Sequence, residues 1–212
     1  MRSRIYIEIT NRCNLSCDFC PGTRRPPRTM TPAEFRTLTQ KLRGETGYLY
    51  FHVLGEPLLH PQLPELLAIA GELAFRVCLV TNGTLLTRQR NALLKADALH
   101  KISVSLHSYE GSGGVGNLEE YLQQVWDTCL PLSQRGVLCA LRLWNDGTAQ
   151  RCNSRVQAFL SEKIGRDVEG LPRDARGNRT LGPNLFLEQA ARCDWPDLAA
   201  PESGATFCHG LT

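Results

Sequence analysis

At 212 residues with 42% apolar side chains, the chain can bury a substantial core and is short enough for one catalytic domain. Its formal charge of +3 is spread over 24 Lys and Arg and 21 Asp and Glu without a basic tail, so composition gives no electrostatic footprint for nucleic acid. Glu65, Glu72 and Arg76 break the most apolar stretch, Leu63 to Val80, which excludes it as a membrane span.

Met1-Arg2-Ser3-Arg4 leads straight into a strand pattern from Arg4 to Thr10, and this opening reads as a mature cytoplasmic start. After a cysteine-bearing loop, Thr31-Pro32-Ala33-Glu34 is a capping box with proline at the first helical position. Phe35, Leu38 and Leu42 then mark the buried face of a first helix. A second strand is expected over Tyr48 to Leu54 and a second helix over Leu63 to Ala74. A third strand, Arg76 to Val80, stops at the Thr81-Asn82-Gly83 turn. A helix around Thr87 to Lys95 precedes a fourth strand, Lys101 to His107, with Ser103, Ser105 and His107 on one face.

Asn117 caps a long helix whose face is Leu118, Leu122, Val125 and Cys129, and Pro131 should kink or end it. Val137 to Trp144 is a fifth strand, followed by a helix around Arg155 to Lys163. Residues 166–182 read as an exposed loop before a sixth strand at Asn184 to Glu188. Alternating β and α units predict an α/β fold with a parallel sheet. A closed eightfold barrel typically needs about 250 residues. Six units in this length therefore predict a partial, TIM-like (βα)6 barrel, open on one side, with its site at the C-terminal ends of the strands.

Nine cysteines is an odd number, and a cytoplasmic start argues against a disulfide framework. Cys78 and Cys139 in strand patterns, and Cys129 and Cys152 in helical ones, read as small buried hydrophobes. Cys13, Cys17 and Cys20 differ, because three thiols within eight positions of one loop can converge on one metal centre. Structural zinc and ferredoxin-type clusters normally take four protein ligands, so three suggests a position kept for an exogenous ligand. A zinc site completed by a distant Cys or His, forming a non-enzymatic metal scaffold, is the competing reading.

The run Cys-x3-Cys-x2-Cys, with the aromatic Phe19 just before its last cysteine, resembles the signature of the radical S-adenosylmethionine superfamily. The resemblance implies that Cys13, Cys17 and Cys20 hold three irons of a 4Fe-4S cluster whose fourth iron chelates S-adenosylmethionine. The cofactor is then cleaved reductively to a 5′-deoxyadenosyl radical that abstracts hydrogen from a substrate. Further positions match on the same footing. Gly55-Glu56-Pro57, after the second strand, is similar to the motif that holds the methionine ammonium through backbone and carboxylate acceptors. Ser105 and His107 stand where the family contacts the ribose, and Asn82 also looks like family, although turn formation alone accounts for it.

Two departures stand out. The fifth strand lacks the Gly-x-Ile-x-Gly pattern that packs adenine in many members, and Arg142 on it is either a partner of the methionine carboxylate or an ion-pair residue. The stretch from Arg4 to Trp144 resembles the core of members with a cysteine-rich, C-terminal SPASM extension; residues 1–190 read as that core partial barrel and residues 191–212 as the truncated start of the extension, with Phe207-Cys208-His209-Gly210-Leu211 and Cys193 too few for another cluster. This likeness favours a peptide or protein substrate. A small-molecule enzyme such as a deazapurine synthase, or a glycyl-radical activase, is the alternative. Expected partners are S-adenosylmethionine and an electron donor such as flavodoxin or ferredoxin, with neither nucleic acid nor membrane.

Gly111-Ser112-Gly113-Gly114-Val115-Gly116 satisfies a dinucleotide fingerprint. It follows the fourth strand rather than the first, and Asp146 lies beyond the usual offset for a ribose acid, so it reads instead as a glycine-rich loop over the barrel mouth. Substrate contacts are expected there and in Pro21 to Met30, where Arg24, Arg25 and Arg28 give a weak pointer to an anion.

Overall fold

The computed structural model describes residues 4–191 except 115, 147, 149 and 150. Cys193, Cys208 and the segment 207–211 lie outside the described residues, as does Val115 of the glycine-rich run. Strands and helices alternate as β1 (Ile5–Ile7), α1 (Pro32–Lys41), β2 (Tyr48–Phe51), α2 (Leu63–Glu72), β3 (Arg76–Thr81), α3 (Leu86–Lys95) and β4 (Leu99–Ser105). They continue as α4 (His107–Gly111), α5 (Leu118–Gln134), β5 (Leu138–Asp146), α6 (Asn153–Ile164), β6 (Arg179–Gly182) and β7 (Leu185–Ala191).

The sheet runs β1-β2-β3-β4-β5-β7-β6, parallel throughout except for the antiparallel β6–β7 pair. β1 and β6 are its two edges, so the barrel is open as expected, and six parallel strands send their C-terminal ends to one side. Alternation along each strand separates two faces. Leu49, Phe51, Val77, Leu79, Ile102 and Val104 are fully buried on the face covered by helices, while Tyr50, Lys101, Ser103, Arg142 and Glu188 occupy the other. Phe35 of α1 meets Phe51 of β2 edge to face at 5.5 Å, which fixes that helix on the sheet.

The predicted capping box is present, with the Thr31 hydroxyl accepting from Glu34 N at 3.2 Å and the Glu34 carboxylate accepting from Thr31 N at 2.8 Å. Asn117 likewise accepts from the backbone of Glu119 and Glu120. Two expectations need correction and one is narrowed. β4 ends at Ser105, and His107 opens α4 instead of extending the strand, because Leu106 turns to helical angles and buries with Tyr109 one helical turn later. Of the two outcomes expected at Pro131, the helix does not end there, as α5 continues to Gln134 with Leu132 fully buried in its last turn. The end of the 166–182 loop is β6, a hairpin partner of β7 closed through Pro183 and Asn184, the latter at φ +57°.

Candidate active site

The cysteine loop leaves the sheet after β1 and is closed at its base. Thr10 bridges Thr29, and Asn11 accepts from Arg28 N at 2.7 Å while donating to Pro26 O at 2.9 Å. Cys13, Cys17 and Cys20 therefore stand on one tied loop at the C-terminal edge of the sheet. Cys13 and Cys20 are exposed and Cys17 is half-buried, its sulfur 3.8 Å from Ser108 O. Burial pushes the Cys17 thiol up to about 11, opposed by the Ser108 hydroxyl side chain and reinforced by the charges of Cys13 and Cys20. Burial also raises Cys13, opposed by the Leu15 N–H and reinforced by Glu56. Thiols so held stay protonated near neutrality and release protons when a metal centre takes them.

Gly55 sits at φ +81°, and a Cβ there would lie 2.2 Å from Thr10 O, so only glycine lets β2 and the cysteine loop touch. The contact continues as Glu56 N donates to Arg12 O at 2.7 Å. The Glu56 side chain is 1% exposed. Its Oε1 accepts from Leu58 N at 3.0 Å and Thr81 Oγ1 at 2.7 Å, and its Oε2 accepts from Asn82 N at 2.7 Å. Burial, opposed by these three bonds, holds the carboxyl above its ordinary range, and among the described residues no Lys or Arg pairs with it. Oε2 keeps acceptor capacity, so a cationic group beside it would bring the carboxyl back down.

Asn82 does more than form a turn. Its amide donates to Asn14 Oδ1 at 3.0 Å, inside the cysteine loop, and its Oδ1 accepts from Thr84. Asn14 in turn donates to Thr84 Oγ1 at 2.8 Å, and the buried Tyr121 hydroxyl donates to Asn82 O at 2.8 Å. Asn14, Ser108 and Tyr121 were not singled out from the sequence, because each acts through a partner dozens of residues away that no local pattern reveals.

Phe19 packs on His107 with ring centroids 5.1 Å apart, and Asp18 N donates to Gly111 O at 2.8 Å. Gly111 is required here by contact rather than by turn geometry, as a Cβ would fall 2.5 Å from the Phe19 ring. His107 Nδ1 lies 3.2 Å from Arg142 O and 3.3 Å from Trp144 N, which ties α4 to β5. Beside these rings opens a cavity of about 290 Å³, lined by Phe19, His107, Glu110, Asn145, Thr148 and Arg151 among others. The structure thus brings Phe19 and His107 together, and Gly55, Glu56, Pro57 and Asn82 together. Ser105 stands apart at the last position of β4, level with Arg142. Arg142 itself donates to Glu188 Oε2 at 2.8 Å, the ion-pair alternative of the two expected for it.

Among the described residues, no three His, Cys, Asp or Glu side chains close tightly enough for one bare ion. Three cysteines carried on one tied loop match the three protein ligands of a cluster that keeps one position for an exogenous group, whereas a closed tetrahedral zinc site would need a fourth protein ligand.

Residues 7–125 match the model of the radical SAM superfamily. The chain belongs to that family. PqqA peptide cyclase of Gluconobacter oxydans is 32% identical over 120 residues, 54% of this chain and 34% of the relative. Fe-coproporphyrin III synthase of Methanosarcina barkeri is 33% identical over 197 residues, 86% of this chain and 47% of the relative. Among solved structures, Streptococcus suis SuiB bound to S-adenosylmethionine superposes with a TM-score of 0.56 at 20% identity, covering 75% of this chain and 38% of that one, a likeness of fold. The radical SAM match runs from the last residue of β1 to the middle of α5, and so includes the cysteine loop, Gly55-Glu56-Pro57, Asn82 and His107. The chain spans about a third to a half of the curated relatives it matches.

Proposed function

We propose that this chain is the catalytic core of a radical SAM enzyme that modifies a peptide or protein, with Cys13, Cys17 and Cys20 as the ligands of a 4Fe-4S cluster. The observation that carries the reading is the lock between the cysteine loop and the strand ends, through Gly55, Glu56, Asn82 and Asn14. When bound, the cluster and S-adenosylmethionine supply the electron and the hydrogen-abstracting radical. The Glu56 carboxylate and neighbouring carbonyls would accept the methionine ammonium, and the hydrogen bonds from Thr81, Asn82 and Leu58 hold that acceptor in place. Phe19 and His107 give the cavity of about 290 Å³ an aromatic wall suited to a planar base. Ser105 offers its hydroxyl to the ribose.

A peptide substrate is supported by the PqqA peptide cyclase relative, and a small-molecule substrate, the second reading, by the longer match to Fe-coproporphyrin III synthase. Residues 191–212 are proposed as the start of a C-terminal extension. The proposed setting is the cytoplasm, with flavodoxin or ferredoxin as electron donor, and no helix among the described residues is long and apolar enough to cross a membrane.

Anaerobic reconstitution with iron and sulfide, followed by reduction, tests the reading. About four irons per chain are expected, with 5′-deoxyadenosine formed from S-adenosylmethionine by the wild type and not by Cys17→Ala. Bound zinc, or a cluster whose spectrum ignores S-adenosylmethionine, would overturn it.

A further inference from the structure

The inner face of the sheet borders a second, partly open cavity of about 250 Å³ that the proposed cofactor site does not use. Strand register builds its wall, with Tyr6, Tyr50, Cys78 and Lys101 on one level of β1 to β4 and Val80 beside Ser103 on a level nearer the C-terminal ends. Arg4, Lys101, Arg142 and Arg176 line this cavity, and none of its described lining residues is acidic.

Glu188 of β7 is the acid next to it, and one carboxylate faces two cations. Its Oε1 accepts from Lys101 Nζ at 3.1 Å and its Oε2 from Arg142 Nε at 2.8 Å. This trio by itself keeps one net positive charge. Arg142 and Glu188 are only 11% and 14% exposed, and the Arg142 guanidinium lies 4.2 Å over the Trp144 ring, so the charge is fixed from two sides. A cleft walled by protein and lined by one sign of charge focuses its field on a counter-ion. His52 and His100 also line it, as imidazoles that can donate or accept without adding charge at neutral pH. The basic loop noted in the sequence offers less, because Arg25 and Arg28 are engaged by Glu8 and Glu34.

We propose that this lumen cavity binds an anionic group, a phosphate or a carboxylate, of the molecule on which the chain acts, with Arg142 and Lys101 as the fixed donors and Arg4 at the rim. An anion seated there would anchor the substrate below the mouth, so that the group to be modified projects toward the cysteine loop. That the anion belongs to the substrate rests on the proposed radical SAM activity, whereas the anion site stands on its own residues.

The test therefore uses the 212-residue chain without iron, sulfide or S-adenosylmethionine. Inorganic pyrophosphate and glutarate are titrated separately by calorimetry into the wild type, Lys101→Met, Arg4→Gln and the exposed control Arg88→Gln. One anion per chain is expected, with affinity falling about tenfold or more in Lys101→Met, a smaller loss in Arg4→Gln and none in Arg88→Gln. Preference for pyrophosphate or glutarate tells phosphate from carboxylate. Arg4 lies at the exposed rim, so its variant reports even where Lys101→Met fails to fold. Binding of neither anion, or binding unchanged in both cavity variants, would overturn the site while leaving the radical SAM reading intact. Absence of deoxyadenosine in the earlier experiment would leave the anion site intact.

Discussion

Glu56 Oε2 accepts the backbone N–H of Asn82 at 2.7 Å, so one buried carboxylate joins the ends of two neighbouring strands. With Leu58 N and Thr81 Oγ1 on the other oxygen, three donors depend on this single group. Leaving a buried donor unsatisfied costs about 1 to 3 kcal/mol each. Glu56→Ala should then destabilise the chain by about 3 kcal/mol or more, read from the urea midpoint. Glu56→Gln keeps the shape, turns one acceptor into a donor and should fall in between. A midpoint unmoved in Glu56→Ala would show that the strand ends are held by something else.

Gly55→Ala should be worse for the metal site than for the fold. The added methyl would meet Thr10 O at 2.2 Å, and the backbone is at a positive φ that side chains resist. Backbone must move, and what moves is the base of the cysteine loop. The expected outcome is iron incorporation well below that of wild type, with far-UV circular dichroism preserved. Gly111→Ala acts from the other side by displacing Phe19, and it should weaken S-adenosylmethionine binding with iron content unchanged. Full iron loading of Gly55→Ala would remove the argument for contact-driven glycine.

These glycines also show what the sequence could and could not disclose. Thr31 and Glu34 were legible as a cap because both partners lie within one turn, and the parallel sheet was legible because each strand carries its own alternation. That Cys13, Cys17 and Cys20 share one loop was legible from their spacing alone. His107 was misplaced because period-two polarity through Ser103 and Ser105 competes with a helical pair, Leu106 and Tyr109, whose burial is decided by stacking of Tyr109 on the distant Tyr121 at 5.3 Å. Arg142 could not be resolved before Glu188 was seen beside it, since charge pairing across a sheet depends on register.

Val53, just past β2, holds φ +110°, a conformation costly for a β-branched residue, and its side chain is 39% exposed, so burial returns little. Such strain costs of order 1 to 3 kcal/mol, against about 0.5 to 1 kcal/mol for the added freedom of glycine in the unfolded chain. Val53→Gly should therefore stabilise the fold by about 1 kcal/mol, seen as a higher urea midpoint. A lower midpoint would mean that the valine side chain makes a contact worth more than the strain.

Acid should unfold the chain partly through His52. Burial, and then the charge of Arg142, lower its pKa from 6.5 to about 4. In the unfolded chain the imidazole titrates near 6.5, so between these values the unfolded state holds a proton that the folded state refuses. Stability is complete above the unfolded value, declines as pH falls through the window and levels off below about 4. At about pH 4.5 the loss attributable to this residue should be about 2.5 kcal/mol. Urea denaturation at neutral pH and at about pH 4.5, for wild type and His52→Gln, isolates it, because other acid-sensitive groups such as buried His60 act equally in both proteins. The variant should lose less stability on acidification by that amount. Equal losses would place the ring of His52 in contact with water or a carboxylate, not beside the Arg142 charge.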